Sequence, residues 1–263
     1  MNQRVYIVSL LRREWLLQRR TWLVQAAATT GVALVLLLGW RFLSGEAPSS
    51  EPIRILFSAV LLFGGSILAS MAFQEAHRPL SSPFFHLLPA DATEKYLSRV
   101  VLYGLLFMLF ASGGFVIISL LASALSLLFG QEGFPLFNPF AAGNLQTIEE
   151  FLITMPIFLA GGVFFRKQAF LKTLLALIGF WLVFGILVAA VSAGAYRFMI
   201  LPIESRMTGD YSLDFSLKYF PWGDQWRTIL EYIGIILRRV VIPVYALIVG
   251  WMRLRESEVA YGV

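Results

Sequence analysis

The chain has 263 residues, of which 58% are hydrophobic and 14% are charged, whereas soluble domains carry about 25% charged residues. Six separate stretches are apolar enough to cross a bilayer, so this length leaves no room for a second large domain. The net charge of +5 follows membrane topology and does not indicate nucleic-acid binding, and the lack of cysteine excludes disulfides and thiolate metal sites. We therefore predict an all-α polytopic membrane protein with a single transmembrane domain over residues 1–263.

The first 21 residues predict an amphipathic helix that lies in the headgroup region. Val8, Leu11 and Trp15 share one helical face because they recur at three- and four-residue spacing. Long basic side chains beside that face can reach lipid phosphates. The alternative is an ordinary positive flank of the first span. The basic residues are Arg4, Arg12, Arg13, Arg19 and Arg20.

Six transmembrane helices should follow. The third predicted span is longer than a bilayer requires, so we expect it to tilt or to project. In the second span, small residues at four-residue spacing (Gly65 with Ala69, Ser66 with Ser70) favour close packing against another helix. The predicted spans cover about 22–43, 53–73, 100–128, 148–165, 170–195 and 238–253.

The beginning of the sixth span is interrupted by charge. Arg238 and Arg239 divide an apolar stretch that runs from 229 to 251. One deep helix would carry both arginines toward the hydrocarbon, which is costly. We therefore predict an outer loop over 196–237 that contains a short interfacial or re-entrant helix at 226–237.

The distribution of basic residues predicts the orientation. Lys and Arg are more frequent in the loops that lie inside when the N-terminus is placed inside, and the excess is clearest in the short loops. We expect a multi-pass protein of the cell membrane with both termini in the cytoplasm. In this arrangement the loop 129–147 lies outside, and its aromatic residues Phe134, Phe137 and Phe140 are expected at the membrane interface.

The inner loop after the second span carries a helix-start signal. Asp91 can act as N-cap, and Glu94 follows three residues later in a capping-box arrangement. This pattern predicts a short helix from Ala92 that leads into the third span. Such a helix is either only a capped helix start or a rigid surface for a cytosolic partner.

The same short helix should be amphipathic. We expect Tyr96 and Leu97 to face apolar surface, and Glu94, Lys95 and Arg99 to face solvent.

The sequence lacks the residues that several kinds of membrane-protein chemistry require. The predicted spans contain no Asp, Glu, Lys or His at depth, which disfavours an ion-coupled carrier. The chain has no G-x-x-x-x-G-K-[ST] phosphate loop. His77 and His86 are its two histidines, too few and poorly placed for a zinc site or paired haem ligation.

Glu149 and Glu150 are similar to the paired glutamates of CAAX-type intramembrane proteases. That family has an arginine four residues after the second glutamate, where this chain has Thr154, and later histidines that this chain lacks. We therefore interpret the two acids as residues at a helix N-terminus, where the helix dipole favours negative charge.

The layout resembles a permease subunit of type-2 ABC transporters, in the bacterial exporter class. A basic amphipathic helix precedes the first span, and a large outer loop precedes the sixth. The segment LLPADATEKYLSR, Leu87–Arg99, is similar to the family's LP-x-x-x-x-E-K stretch after the second span. The tail WMRLRESEV, Trp251–Val259, is similar to the F-R-L-K-E-x-E endings of some members.

This resemblance implies a division of labour. Separate cytosolic ATPase subunits would bind Mg-ATP and hydrolyse it, so this chain would be no enzyme alone and would bind no cofactor itself. Residues 74–99 would form the cytoplasmic coupling loop that contacts the ATPase. The contact residues would be Asp91, Thr93, Glu94, Lys95, Tyr96 and Arg99. The connecting helix at the N-terminus would act through Arg12, Arg13, Trp15, Arg19 and Arg20.

Two permease subunits, identical or different, would enclose the pathway within the lipid bilayer. The few polar residues of the first span, Gln25, Thr29 and Thr30, mildly favour a lipid, hydrophobic peptide or amphipathic drug as substrate. A second hypothesis is a membrane anchor or assembly subunit without a pathway. A third, an intramembrane hydrolase, is disfavoured because catalytic residues are missing.

Overall fold

The computed structural model describes residues 16, 20, 23–24, 27–41, 43, 49–77, 91–130, 132–195 and 223–260, and over these residues it is helical, with no β-strand. The chain divides into two units. The first comprises Met1–Phe170 with Val240–Val263, and the second comprises Leu171–Arg239.

The described helices are numbered α1 to α6 in chain order. Helices α1 to α5 cover Ala27–Arg41, Glu51–His77, Ala92–Leu128, Ala142–Phe164 and Ala169–Ala195. Helix α6 consists of Gly223–Ile236, a π-helical turn at Leu237–Val241, and Ile242–Ala260.

Five of these helices, α2 to α6, are long and apolar enough to cross a membrane. The all-α prediction is therefore confirmed for the described residues, and the protein is a membrane protein by the length and composition of its helices. The described part of the first predicted span, α1, is a shorter apolar helix. The described residues thus contain five helices of spanning length, and the sixth span stays a prediction.

The predicted N-terminal interfacial helix lies almost entirely outside the described residues. Arg12, Arg13, Trp15 and Arg19 are among the residues not described, whereas Arg20 is helical and exposed.

Helix α4 is the most buried helix of the first unit and packs against α2 and α6. Its contact with α2 is a close approach of two backbones. A Cβ atom added to Gly162 would lie 2.6 Å from the carbonyl oxygen of Ser70, and His77 Nε2 lies 3.1 Å from the carbonyl oxygen of Gly162. The small residues predicted to pack in the second span, Gly65 and Ala69 with Ser66 and Ser70, are all buried.

Aromatic rings fill the core beside the first turns of α2. Phe57 contacts Phe115 and Phe137, with ring centroids 5.4 and 4.8 Å apart. The backbone N–H of Phe137 donates a 3.0 Å hydrogen bond to the hydroxyl of Ser119 on α3. This bond holds the segment after α3 against the helices.

The expected interfacial position is therefore wrong for two of the three loop aromatics. Phe134 is 5% exposed and Phe137 is 7% exposed, so both belong to the core, whereas Phe140 is 78% exposed.

The interpretation of Glu149 and Glu150 as helix-start residues is also wrong. Helix α4 begins at Ala142 and has no acidic residue in its first turn. The helix begins earlier because the side chain of Asn144 donates a 2.7 Å hydrogen bond to the carbonyl oxygen of Asn138, which orders the turn before it. Both acids lie two turns into the helix and are half-buried.

The predicted separation between a short helix at 226–237 and a sixth span from Arg238 is not present. Helix α6 continues through both arginines, which lie in the π-helical turn Leu237–Val241. The stretch of spanning length is Glu231–Ser257. No proline or glycine stands at the predicted boundary, so nothing in the local sequence ends the helix there.

The second unit presents an apolar surface along α5. In the stretch Ala169–Val191, which is long and apolar enough to span a membrane, the window of highest hydropathy has no buried residue. Phe180 stacks on Phe184 with ring centroids 6.1 Å apart. Such a surface suits contact with lipid chains.

Candidate site at the start of helix α3

Helix α3 begins as its sequence predicts. Asp91 is the N-cap residue with extended backbone geometry, and it forms a capping box with Glu94. The Glu94 carboxylate accepts a 3.3 Å hydrogen bond from the backbone N–H of Asp91. Because these bonds satisfy N–H groups that have no partner inside the helix, the start of α3 is fixed at Ala92.

The short helix is amphipathic, but its faces differ from the expected ones. Lys95 is 3% exposed and Arg99 is 2% exposed, so the prediction that they face solvent is wrong. Leu97, expected on apolar surface, is 46% exposed. Tyr96 is buried as predicted.

The remaining contact residues predicted from the sequence lie on the outer side of the helix. Asp91 and Thr93 are exposed, and Glu94 is half-buried. The exposed surface therefore consists of Asp91, Thr93, Glu94 and Leu97, which we call the outer face of the α3 start.

The buried side of the α3 start is held to the end of α2. A guanidinium nitrogen of Arg99 lies 3.2 Å from a carboxylate oxygen of Glu75. The arginine side chain is almost fully buried, whereas the glutamate side chain is 36% exposed. One helical turn earlier, Tyr96 stacks on Phe73 with ring centroids 5.7 Å apart and an angle of 14° between the ring planes.

The α3 start is also held to the tail of α6. The indole Nε1 of Trp251 donates a 3.0 Å hydrogen bond to the hydroxyl of Thr93. A Cβ atom added to Gly250 would lie 2.6 Å from the Tyr96 hydroxyl and 3.2 Å from the Cα of Ala160 on α4. Glycine is thus the residue that lets three helices meet at this point.

The buried Tyr96 hydroxyl has no hydrogen-bond partner among the residues that the structure describes. A buried hydroxyl without a partner costs free energy relative to a solvated one. The tyrosine is held by the stacking of its ring on Phe73 and by its close packing against Gly250. A hydrogen bond from its hydroxyl to a described residue does not contribute.

Side chains in the tail of α6 are ordered by neighbours. Arg253 forms a 3.0 Å ion pair with Glu256, and its guanidinium carbon lies 5.8 Å from the centre of the Phe164 ring at the end of α4. The guanidinium carbon of Arg255 lies 5.8 Å from the centre of the Trp251 ring. A shallow surface depression is lined by Trp251, Met252, Arg255 and Glu256.

We call this set of contacts the junction, which joins the ends of α2, α4 and α6 to the start of α3. Its residues are Phe73, Glu75, Thr93, Tyr96, Arg99, Ala160, Phe164, Gly250, Trp251 and Arg253. Sequence reasoning identified the α3 residues but not Glu75, Gly250 or Trp251 as their neighbours. Thr93 and Trp251 lie 158 positions apart, and no local pattern predicts such a pairing.

The junction links the α3 start directly to α2 and to α6. Within the described part of the chain, no three residues among His, Cys, Asp and Glu lie close enough together to hold a metal ion. A displacement of the α3 start would move α2 through the buried ion pair and α6 through the Trp251 hydrogen bond.

Comparison with known proteins gives no relative. No family model, curated protein or solved structure matches this chain.

Proposed function

We propose that this chain is the membrane-spanning permease subunit of an ATP-driven ABC exporter. In this proposal it pairs with a second permease subunit, identical or different, and encloses the translocation pathway. Separate cytosolic ATPase subunits bind and hydrolyse ATP, and this chain has no enzymatic activity alone. The cell membrane holds it with both termini in the cytoplasm.

The observation that carries the proposal is the two-sided start of α3. Its outer face leaves Asp91 and Leu97 accessible to a partner. Arg99 on its buried side and Thr93 on its outer face fasten it to two other helices. A helix with these contacts can be displaced by a partner outside the membrane, and its displacement would move several spans.

The differing exposure of the predicted contact residues supports different roles for them. In the proposed complex, the outer face of the α3 start contacts the ATPase. Lys95, Tyr96 and Arg99 act from the buried side and position the helix. ATP binding changes the packing of the spans only if the ATPase contacts one packing more favourably than the other.

The test uses the full-length chain purified from its native membranes in mild detergent. A single cysteine introduced as Leu97→Cys is unique, because the chain has no cysteine of its own. We expect a short bis-maleimide to cross-link it to a P-loop ATPase whose partner-side cysteine lies in the docking groove. Leu136→Cys, in the segment that follows the other end of α3 and also exposed, is the matched control and should give no such product.

Function is then measured in proteoliposomes that contain the complex. Asp91→Ser removes the charge but keeps an N-cap hydroxyl, so it should leave the helix intact. Leu97→Glu should lower ATPase stimulation by the permease. Failure of any P-loop ATPase to co-purify and to cross-link at position 97 would overturn the proposal. A stable complex whose spans show no nucleotide-dependent change in accessibility would identify a membrane anchor instead.

A further inference from the structure

Arg238 occupies an unusual position for a charged residue. It is the eighth residue of the 27-residue stretch Glu231–Ser257, which is long and apolar enough to span a membrane. At about 1.5 Å per residue, it lies about 10 Å along the helix from Glu231. Charged residues inside membrane spans are costly and usually functional, so an arginine at this depth marks a candidate functional site.

The surroundings of Arg238 are exposed and apolar. Ile235 and Leu237, which flank Arg238 on the helix surface, are 41% and 50% exposed, and Arg238 itself is exposed. These side chains suit contact with lipid chains, so the guanidinium borders hydrocarbon rather than a protein core.

Three other arginines of the protein are paired with carboxylates. Arg54 binds Glu51 at 2.7 Å, Arg99 binds Glu75 at 3.2 Å, and Arg253 binds Glu256 at 3.0 Å. Arg238, by contrast, makes no hydrogen bond or ion pair with any residue that the structure describes. A guanidinium beside hydrocarbon needs an anionic partner, and none of the described residues supplies one to Arg238.

Space for a ligand exists one helical turn away. A Cβ atom added to Gly234 would have no atom within 4 Å. Because side chains in a helix lean toward its N-terminus, the Arg238 side chain extends past Gly234 toward the Glu231 end. The glycine therefore leaves an open notch beside the path of the guanidinium.

The local backbone adds a further observation. Arg238 and Arg239 both lie in the π-helical turn Leu237–Val241, and such turns are frequent at functional sites. The turn brings two adjacent cationic residues to an exposed helix surface.

We propose that Arg238, with Arg239 beside it, binds the phosphate of an anionic membrane lipid, whose headgroup occupies the notch at Gly234 and whose chains lie along Ile235 and Leu237. Arginine matches phosphate oxygens with its planar donor fork. The exposed apolar residues favour a lipid over a free anion as the source of the phosphate. The inference stands on α6 alone and does not depend on the proposed export function.

The test measures lipid binding to the full-length protein by native mass spectrometry, with phosphatidylglycerol and phosphatidylcholine as probes. We expect phosphatidylglycerol to bind in preference, and Arg238→Gln to weaken its binding about tenfold, as for the loss of a charge-assisted contact. Arg54→Gln is the matched control, because it removes the same charge from an exposed arginine outside the site. Its phosphatidylglycerol binding should equal that of the wild-type protein.

Two further variants keep the test valid if Arg238→Gln folds poorly. Gly234→Leu fills the notch without changing charge and should also lower phosphatidylglycerol binding, whereas Arg238→Lys should retain part of it. The proposal is overturned if Arg238→Gln and Gly234→Leu bind phosphatidylglycerol as tightly as the wild-type protein does. Displacement of the lipid by millimolar inorganic phosphate would overturn the assignment to a lipid headgroup.

Discussion

The indole nitrogen of Trp251 donates a 3.0 Å hydrogen bond to the hydroxyl of Thr93 and so joins the tail of α6 to the first turn of α3. The two residues lie 158 positions apart in the sequence. Their contact means that the α3 start cannot shift far without moving α6 or breaking this bond. The first prediction concerns its strength.

Trp251→Phe removes the donor and keeps most of the aromatic surface. We expect it to lower the free energy of unfolding by about 1 kcal/mol, the usual net value of one hydrogen bond. Thr93→Val should have a similar effect, whereas Thr93→Ser keeps the hydroxyl and should be nearly neutral. Thermal unfolding of the detergent-solubilised protein measures all three.

The double variant Trp251→Phe/Thr93→Val decides whether the two effects share a cause. If the hydrogen bond is responsible, the double variant is no less stable than the worse single variant. Additive losses would mean that the two side chains act independently.

The second prediction concerns the fit of Gly250. Gly250→Ala would place a Cβ atom 2.6 Å from the Tyr96 hydroxyl and 3.3 Å from the Cβ of Ala160. We expect a loss of about 1–3 kcal/mol, as is typical of overpacking. Gly179→Ala is the control, because a Cβ atom there meets nothing within 4 Å and alanine favours the helix.

Tyr96→Phe provides a rescue test for the same contact. It removes a buried hydroxyl that has no partner among the described residues, so alone it should be neutral or slightly stabilising. In combination with Gly250→Ala it should recover part of the lost stability, because the hydroxyl is the atom nearest to the added Cβ. No recovery in the thermal unfolding midpoint would show that the clash with Ala160 dominates.

The third prediction concerns the backbone crossing of α2 and α4. Gly162→Ala would bring a Cβ atom within 2.6 Å of the Ser70 carbonyl oxygen. A backbone atom cannot rotate away as a side chain can, so we expect a larger loss of stability than for Gly250→Ala. Gly113→Ala, where a Cβ atom meets nothing within 4 Å, serves as the control. Equal unfolding midpoints for Gly162→Ala and Gly113→Ala would contradict the close approach.

Much of the fold followed from the sequence because the strongest signals were local. The helix start at Ala92 could be predicted because the capping box lies within four residues. The helices α2 to α5 could be located from uninterrupted apolar runs of spanning length. Both signals depend on chemistry that neighbouring residues supply.

The errors arose where distant residues decide the outcome. The sequence of the α3 start shows two cations, and only the position of Glu75 explains why Arg99 is buried. The start of α4 depends on a hydrogen bond between Asn144 and Asn138, which hydropathy does not reveal. Arg238 suggested a helix boundary because placing an arginine in hydrocarbon costs free energy. In the structure, the helix continues past Arg238 through a π-helical turn.

The fourth prediction concerns the buried ion pair. Glu75→Gln leaves the buried Arg99 without its carboxylate and should destabilise the protein by about 2 kcal/mol, less than for a fully buried pair because Glu75 is partly exposed. Arg99→Met removes the charge together with its need for a partner. We expect Glu75→Gln/Arg99→Met to be more stable than Glu75→Gln alone. The reverse order in thermal unfolding would show that the ion pair contributes little.

The fifth prediction concerns the sides of the membrane on which the two ends of α3 lie. Leu97 is 46% exposed and Leu136 is 63% exposed, and a helix of spanning length separates them. A membrane-impermeant maleimide added outside intact cells should therefore label Leu136→Cys and not Leu97→Cys. After the cells are opened, both should react, because the chain has no other cysteine. Labelling of Leu97→Cys alone in intact cells would invert the predicted orientation, and labelling of both in intact cells would mean that α3 does not cross the membrane.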